Sequence, residues 1–481
     1  MGMAAADRAE SGKRVIMTRG PLAGVLLRVA APIAAANFVA AAYGLINLFF
    51  VGRLGARAIA AVAGATPLYD VLINFGSGLS VAGGVIVAQY AGAGRRDALD
   101  HVVAQTLLAV VALAASFALA GLVLAPGVLR LVGAEPAVRS VSAAYLAVLY
   151  WGMVPQFAFF AIRAMMQSVG EVRYATAISL ATIALNAALD PLLIFGAGPW
   201  TGLGVRGAAF ATVTVQAWAC AMMLARLLSG RSLLRLRWRQ LRPDPVQLRQ
   251  TVALGWPASF EQGVRTFSSV LLMSTAAHFG TFALATYALG VRVMQFFFSA
   301  IQGLSIATSV VTAQNLGAGL RERVDAGART AGWLAFVLFE AVGLALAWPV
   351  AGVTHVLAPH DPGLALAATG FSRVYLPFLG VLALPQVLNG VFRGAGSTRQ
   401  AMGLSMAMQW LFQMPSAWVL ALATPLGVAG VWWSYPIGNF GASLMCLAWL
   451  RWGPWRRAAL VDPRLAAEEA RLEAETTIPE A

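Results

Sequence analysis

Apolar residues along this chain come in long runs, not in the alternating pattern of a strand or the one-sided pattern of a soluble helix. Twelve runs cover residues 22–51, 58–90, 102–125, 139–162, 174–195, 207–228, 251–279, 283–316, 328–350, 369–392, 400–423 and 428–450. Most are as long as a bilayer is thick, which takes about 20 helical residues. Backbone N–H and C=O groups find no water inside hydrocarbon, so runs of this length are expected to be helices. Short polar or glycine-rich stretches separate them. The second run stops at Gly92-Ala93-Gly94, followed by Arg95-Arg96. Glycines there end a helix, and basic residues complement the negative end of its dipole.

Composition agrees with the pattern. Of 481 residues, 34 are Lys or Arg and 20 are Asp or Glu, so charged residues make up 11%. An ordinary soluble domain carries about 25%. Hydrophobic residues reach 59%. This balance excludes a soluble globular enzyme, a disordered chain and a disulfide scaffold. Cys220 and Cys446 each lie inside an apolar run and suggest neither a metal site nor a disulfide. No signal peptide is expected, because the apolar run after Pro21 is too long for one.

The net charge of +14 is carried almost wholly by arginine, with Lys13 the single lysine. In a soluble protein it would suggest nucleic acid. Here the positive-inside rule is the simpler reading, and no nucleic-acid partner is expected. Basic residues gather at the N-terminus, in the even-numbered loops and after residue 450. The opposite loops hold Arg53, Arg57, Arg130, Arg139, Arg206 and Arg373. That bias predicts a multi-pass protein of the plasma (inner) membrane with both termini in the cytoplasm. The expected organisation is a cytoplasmic segment 1–21, an N-lobe 22–228, a basic linker 229–250 meeting anionic lipid heads, a C-lobe 251–450 and a cytoplasmic tail 451–481.

The two halves repeat. Aligned without gaps at an offset of 225 residues, Gly55–Gly94 matches Gly280–Gly319 at 14 of 40 positions. Gly78-Leu79-Ser80 falls on Gly303-Leu304-Ser305, Ala88-Gln89 on Ala313-Gln314, and Pro32 on Pro257. Six spans per repeat is an even number, so both repeats keep one orientation. The predicted fold is an all-α polytopic membrane protein. Its twelve transmembrane helices form two six-helix lobes related by a pseudo-twofold axis along the membrane normal, as in parallel-repeat transporters.

Two long segments now become recognisable. One runs from Phe50-Val51-Gly52-Arg53-Leu54-Gly55 to Val87-Ala88-Gln89-Tyr90-Ala91-Gly92-Ala93-Gly94. The other runs from Asn186-Ala187-Ala188-Leu189-Asp190-Pro191 to Gly204-Val205-Arg206-Gly207. Phe392-Arg393-Gly394-Ala395-Gly396-Ser397-Thr398-Arg399 adds an Arg-Gly-x-Gly-x-Thr turn. Over roughly residues 20–450 the chain resembles the multidrug and toxic compound extrusion (MATE) family. The resemblance implies a monomeric, non-enzymatic antiporter without a cofactor. It would export amphipathic, often cationic small molecules by alternating access, driven by protons or sodium ions. Where the family commonly has an Asp near the end of the first span, this chain has Asn47. Arg265 and Thr266 stand where the sodium-coupled branch has its seventh-span acid, and Ala383 stands near the tenth-span one. Proton coupling is therefore favoured over sodium.

Four acids fall inside predicted spans: Asp70, Asp190, Glu261 and Glu340. An ionisable group in lipid is costly and is a functional candidate by default. Asp190, with Asn186 one turn earlier, is the leading coupling candidate; alternatively Asp190-Pro191 is an N-cap restarting a broken helix. Asp70 stands where it would supply the carboxylate that Asn47 lacks, or it is a locally bonded polar residue. Glu261 and Arg265, four apart, are expected to pair on one helix face, either as a structural element or as a pair opened during gating. Losing Arg265 is expected to harm the protein more than losing the Glu261 charge. Pro32 and Pro257 break helical hydrogen bonds in equivalent spans, as hinges or as static kinks. The rival functional reading is a lipid or lipid-linked oligosaccharide flippase, for which Arg28, Arg265 and Arg292 are the deep cations. The scattered histidines His101, His278, His355 and His360 argue against an intramembrane enzyme.

Overall fold

A computed structural model of the chain describes residues 17–131, 136–198, 201–357, 361–457 and 460. Most of the N-terminal segment and the expected solvated tail from residue 462 onward lie outside the described residues. The first half holds α1 (Leu22–Gly52), α2 (Ala56–Gly92), α3 (Arg96–Leu131), α4 (Pro136–Trp151), α5 (Met153–Ser168), α6 (Val172–Phe195) and α7 (Val205–Leu228). The second holds α8 (Pro245–Ala277), α9 (Thr281–Gly317), α10 (Arg321–Ala347), α11 (Val350–Leu357), α12 (Pro362–Tyr375), α13 (Leu379–Gly394), α14 (Thr398–Ala407), α15 (Met414–Leu422) and α16 (Val428–Trp452). Among the described residues seven helices are long and apolar enough to cross a bilayer on their own, the continuous stretch from α12 to α13 makes an eighth, and α4 with α5 makes a ninth, bent by 47°.

The twelve apolar runs are all helical, but three are interrupted, for local reasons. The fourth bends at Gly152, where a Cβ would lie 2.3 Å from Val213 Cγ2. The tenth breaks at a 3-10 turn, Leu376–Phe378, around Pro377. Gly152 and Pro377 are 225 residues apart, so the two repeats break their fourth span at the same place. The eleventh widens into a π-helical stretch, Met408–Gln413, just ahead of Pro415. A proline lacks the N–H that an α-helix would use and crowds the preceding turn; π geometry is one way to absorb it.

Two compact units emerge. One comprises residues 35–87 and 96–260; the other comprises 17–34, 88–95 and 261 onward. The boundaries near residues 34 and 260 fall just after Pro32 and Pro257, so each of these helices is divided at its proline. In the first unit, α2 passes α8 so closely at Gly78 that a Cβ there would lie 2.3 Å from Ser259 N. In the second unit, a Cβ on Gly303 would lie 2.8 Å from Ala34 Cα. These are repeat-equivalent contacts. Also in the second unit, a Cβ on Gly92 would sit 2.0 Å from Gln314 O, and one on Gly317 would sit 2.0 Å from Gln89 O. Small residues let helix backbones approach where lipid gives little hydrophobic drive for packing.

The linker after α7 is held on the first unit and is not a free basic strand. Glu171 Oε1 accepts from Ser232 Oγ at 2.8 Å and from Leu233 N at 2.9 Å, and its Oε2 accepts from Arg226 Nε at 3.0 Å. Asp100 accepts from Arg235 N, and Gln105 Nε2 donates to the carbonyls of Gln240 and Arg242. Asp244 caps the first turn of α8 by accepting from Val246 N, and its other oxygen meets His101 Nε2 at 3.0 Å. The His101 contact, then the Val246 N–H, hold the Asp244 carboxyl below the usual carboxylate range. Arg231, Arg235, Arg237 and Arg239 remain exposed. In the second unit, Trp455 is fully buried against Leu388, Phe392 and Cys446.

The close crossings yield a prediction. Gly92→Ala and Gly317→Ala push a methyl group into a backbone carbonyl and should each cost roughly 1–3 kcal/mol. Gly64→Ala, whose Cβ meets nothing within 4 Å, should be neutral or gain up to about 1 kcal/mol. Thermal unfolding of purified protein in detergent measures the ordering.

Candidate functional site

Among the described residues of the first unit, Asp190 is a carboxylate with no exposed surface, in the last third of α6. Its partners come from α1. Tyr43 OH donates to Asp190 Oδ2, and Asn47 Nδ2 donates to the same oxygen at 2.9 Å. Tyr43 and Asn47 are four residues apart and so share a helix face. Asp190 Oδ1 is buried and has no partner among the described residues. Asn186, one turn earlier, is also buried, and its Oδ1 likewise lacks a donor. No arginine pairs with this carboxylate among the described residues.

This geometry corrects one expectation. Asp190 does not cap a restarted helix, because α6 runs unbroken from Val172 to Phe195 with Pro191 inside it. The carboxylate is turned to another helix, not to its own backbone. Asn47, which replaces an acid in the family pattern, lies beside Asp190 as a hydrogen-bond donor. Tyr43 was missed in the sequence. The signal was its i, i+4 spacing from Asn47, but a tyrosine in an apolar span is not conspicuous. Asp70 is not brought to the cluster: it is exposed on α2 and makes no hydrogen bond among the described residues. Tyr145 lies within the electrostatic reach of both Asp70 and Asp190.

The second unit treats its carboxylate differently. Glu261 is 1% exposed. Its Oε1 accepts from Arg393 Nη2 at 2.6 Å, Ser405 Oγ at 2.7 Å and Arg265 Nη2 at 3.4 Å. Arg265 Nη2 also donates to Gln386 Oε1 at 3.2 Å, and Asn389 Nδ2 donates to Ser405 Oγ at 2.8 Å. The expected Glu261–Arg265 pair therefore exists, but as the longer arm of a triad. Arg393, read from sequence only as part of a loop turn, is the nearer partner. It reaches Glu261 from 132 residues away, a distance that no local spacing rule detects.

Glu340, the remaining acid inside a span, has a structural task. Its Oε2 accepts from Gly380 N at 2.8 Å, covering an open N–H in the first turn of α13 just after the 3-10 break. Pro32 and Pro257 both lie inside continuous helices, α1 and α8.

The triad reverses the mutational ordering expected from a simple pair. Glu261→Gln leaves two guanidinium groups in a buried site and should cost on the order of 3–5 kcal/mol. Arg265→Gln leaves Glu261 paired with Arg393 and should cost less. Membrane expression and thermal midpoints of the two variants test this, and equal loss would contradict the triad.

With the geometry in hand, comparison with known proteins is direct. The family profile MatE matches residues 32–192 and 257–443. The two matched stretches begin 225 residues apart, at Pro32 and Pro257, the same offset as the internal repeat. The chain is 31% identical over 426 residues to the probable multidrug resistance protein NorM of Deinococcus radiodurans, covering 86% of this chain and 91% of that one. It is 27% identical over 420 residues to the probable multidrug resistance protein YoeA of Bacillus subtilis, covering 86% and 90%. An outward-facing multidrug resistance MATE transporter of the MOP superfamily has the same fold, with a TM-score of 0.86 at 23% identity over 91% of this chain and 97% of that one. A MATE protein crystallised with MaL6 gives 0.85 at 23% identity, covering 91% and 98%. The family profile spans both repeats and the relatives span nearly the whole chain, so this protein is a multi-pass membrane transporter of the MATE family.

Proposed function

We propose that the chain is a proton-coupled antiporter that exports amphipathic, cationic drugs or metabolites, with Asp190 as its proton carrier. The observation that carries this is the contrast between the two buried acids. Glu261 is held by two guanidiniums and a hydroxyl, an arrangement that favours permanent charge. Asp190 has only two neutral donors, both on one oxygen, while its other oxygen is unpaired. A carboxylate so placed is poised to take up a proton. Once protonated, Oδ1 would change from an unpaired acceptor into a donor for Asn186 Oδ1, one turn away. Tyr43 and Asn47 orient the carboxylate and report its charge to α1.

Alternating access then follows a simple cycle. An ionised Asp190 attracts the cationic substrate. A proton entering from outside neutralises the carboxylate and weakens that attraction, and the substrate leaves. The multidrug names of the NorM and YoeA relatives support export of drugs as the physiological direction. The arginine bias along the loops supports cytoplasmic termini. The chain is taken to act as a monomer.

Sodium coupling is the second reading, because Asp190 Oδ1 and Asn186 Oδ1 are both open acceptors. Two features weigh against it. A sodium ion takes several oxygen ligands and favours net negative charge, and Asp70 lies apart from the cluster. Tyr43 and Asn47 present hydrogen-bond donors, not lone pairs, to Asp190. The flippase reading loses support because its three cations are not brought together: Arg265 bonds to Glu261 and Gln386, while Arg28 and Arg292 are exposed elsewhere on α1 and α9.

Asp190→Asn should abolish coupled efflux while the protein still reaches the membrane, and normal drug resistance in that variant would exclude the assignment. Asp70→Asn should keep most of the activity. In proteoliposomes, a pH gradient imposed alone should drive efflux of a cationic dye. Efflux driven by a sodium gradient at fixed pH, and not by the pH gradient, would replace the proton with sodium.

A further inference from the structure

The Glu261 triad does not balance its charge. Two guanidiniums, which stay protonated at any working pH, face one carboxylate. The remaining acid inside a span of this unit, Glu340, is bonded to Gly380, at the far end of α13 from Arg393. Thirteen helical residues separate Gly380 from Arg393, which is about 20 Å at 1.5 Å per residue. Among the described residues, a net positive charge is therefore left in a site where the side chains of Arg393 and Arg265 are 16% and 22% exposed.

Hydrogen bonding shows the same imbalance. Each guanidinium has five N–H donors. Among the described residues the two side chains make three hydrogen bonds, to Glu261 twice and to Gln386 once. Arg265 Nε and Arg393 Nε are both buried and without a partner. The Arg265 guanidinium carbon lies 5.4 Å from the centre of the Phe298 ring, an aromatic contact that brings attraction but no hydrogen-bond acceptor for its N–H groups. A buried cation with unused donors takes an acceptor that also carries negative charge.

We propose that the Arg265–Arg393 pair of the second unit binds a compact monovalent anionic group, either a free halide ion or the carboxylate of a substrate. Glu261 holds the two guanidiniums together, and the anion completes their neutralisation. The site itself stands apart from the efflux reading; only the choice between its two occupants rests on it.

The test is thermal unfolding of the purified full-length protein at constant ionic strength, with sodium isethionate, which is neither a halide nor a carboxylate, replaced stepwise by chloride or by benzoate. The midpoint should rise by a few degrees and saturate with each anion. Arg265→Gln should lose the rise, while Arg292→Gln, on an exposed position of α9, should keep it. If Arg265→Gln cannot be purified, Arg265→Lys decides: it keeps the charge but not the planar fork, so it should respond to chloride and lose much of its response to benzoate. No saturable rise in the unaltered protein, an unchanged rise in Arg265→Gln, or an unchanged benzoate response in Arg265→Lys overturns the site. In proteoliposomes, benzoate slowing dye efflux by the unaltered protein more than by Arg265→Lys, with no effect of chloride, identifies a substrate carboxylate as occupant, the variant controlling for loss of the pH gradient; slowing by chloride identifies a free halide. Absence of any dye efflux would count against the antiporter reading and leave the unfolding result standing.

Discussion

Placing a charge in hydrocarbon is costly, and that cost organises this molecule around its buried acids. Each of the acids discussed above meets it in its own way. Glu261 is neutralised by Arg393 and Arg265, and the pairing ties α8, α13 and α14 together within the second unit. Glu340 is used as a cap for a broken helix. Among the described residues Asp190 has neither a cation nor a backbone amide, only Tyr43 and Asn47. Of these three acids with bonded partners, Asp190 alone is held by neutral side-chain donors only.

Within each unit, helices approach one another through glycine. Gly78, Gly92, Gly303 and Gly317 leave no room for a side chain, since a Cβ at each would fall within 3 Å of neighbouring backbone. In lipid the apolar side chains of a helix gain little by leaving their surroundings, so contact depends on shape. The repeat preserves these crossings as pairs. It also preserves the break in the fourth span of each half, at Gly152 and at Pro377, and both breaks are followed by a helix that carries polar residues inward. Bent spans of this kind are tolerated where neighbouring groups satisfy the freed backbone, as Glu340 does for Gly380.

A different economy governs the linker. Seven arginines between Arg226 and Arg249 suggest a surface facing anionic lipid, yet its backbone is pinned by Glu171, Asp100 and Gln105. The guanidiniums of Arg231, Arg235 and Arg239 still point outward. A segment can be basic toward solvent and ordered beneath, because carboxylates and amides bind its backbone while leaving its charged side chains free.

Much of the architecture was legible in the residues alone. Run length dictated helices because no other backbone conformation satisfies its own polar groups in lipid. The 225-residue offset revealed the repeat because a duplicated fold must keep its glycines and prolines where backbones meet. Asp190 and Asn186 were found for the same reason that any acid in an apolar run is found: it costs too much to be there by accident. What the residues could not disclose was partnership across long stretches of chain. The contacts of Tyr43 and Asn47 with Asp190, and of Arg393 with Glu261, join positions 132 to 147 residues apart. Neither helical periodicity nor a motif encodes such distances. Only the packing of the helices decides which buried acid meets a cation and which meets neutral donors alone.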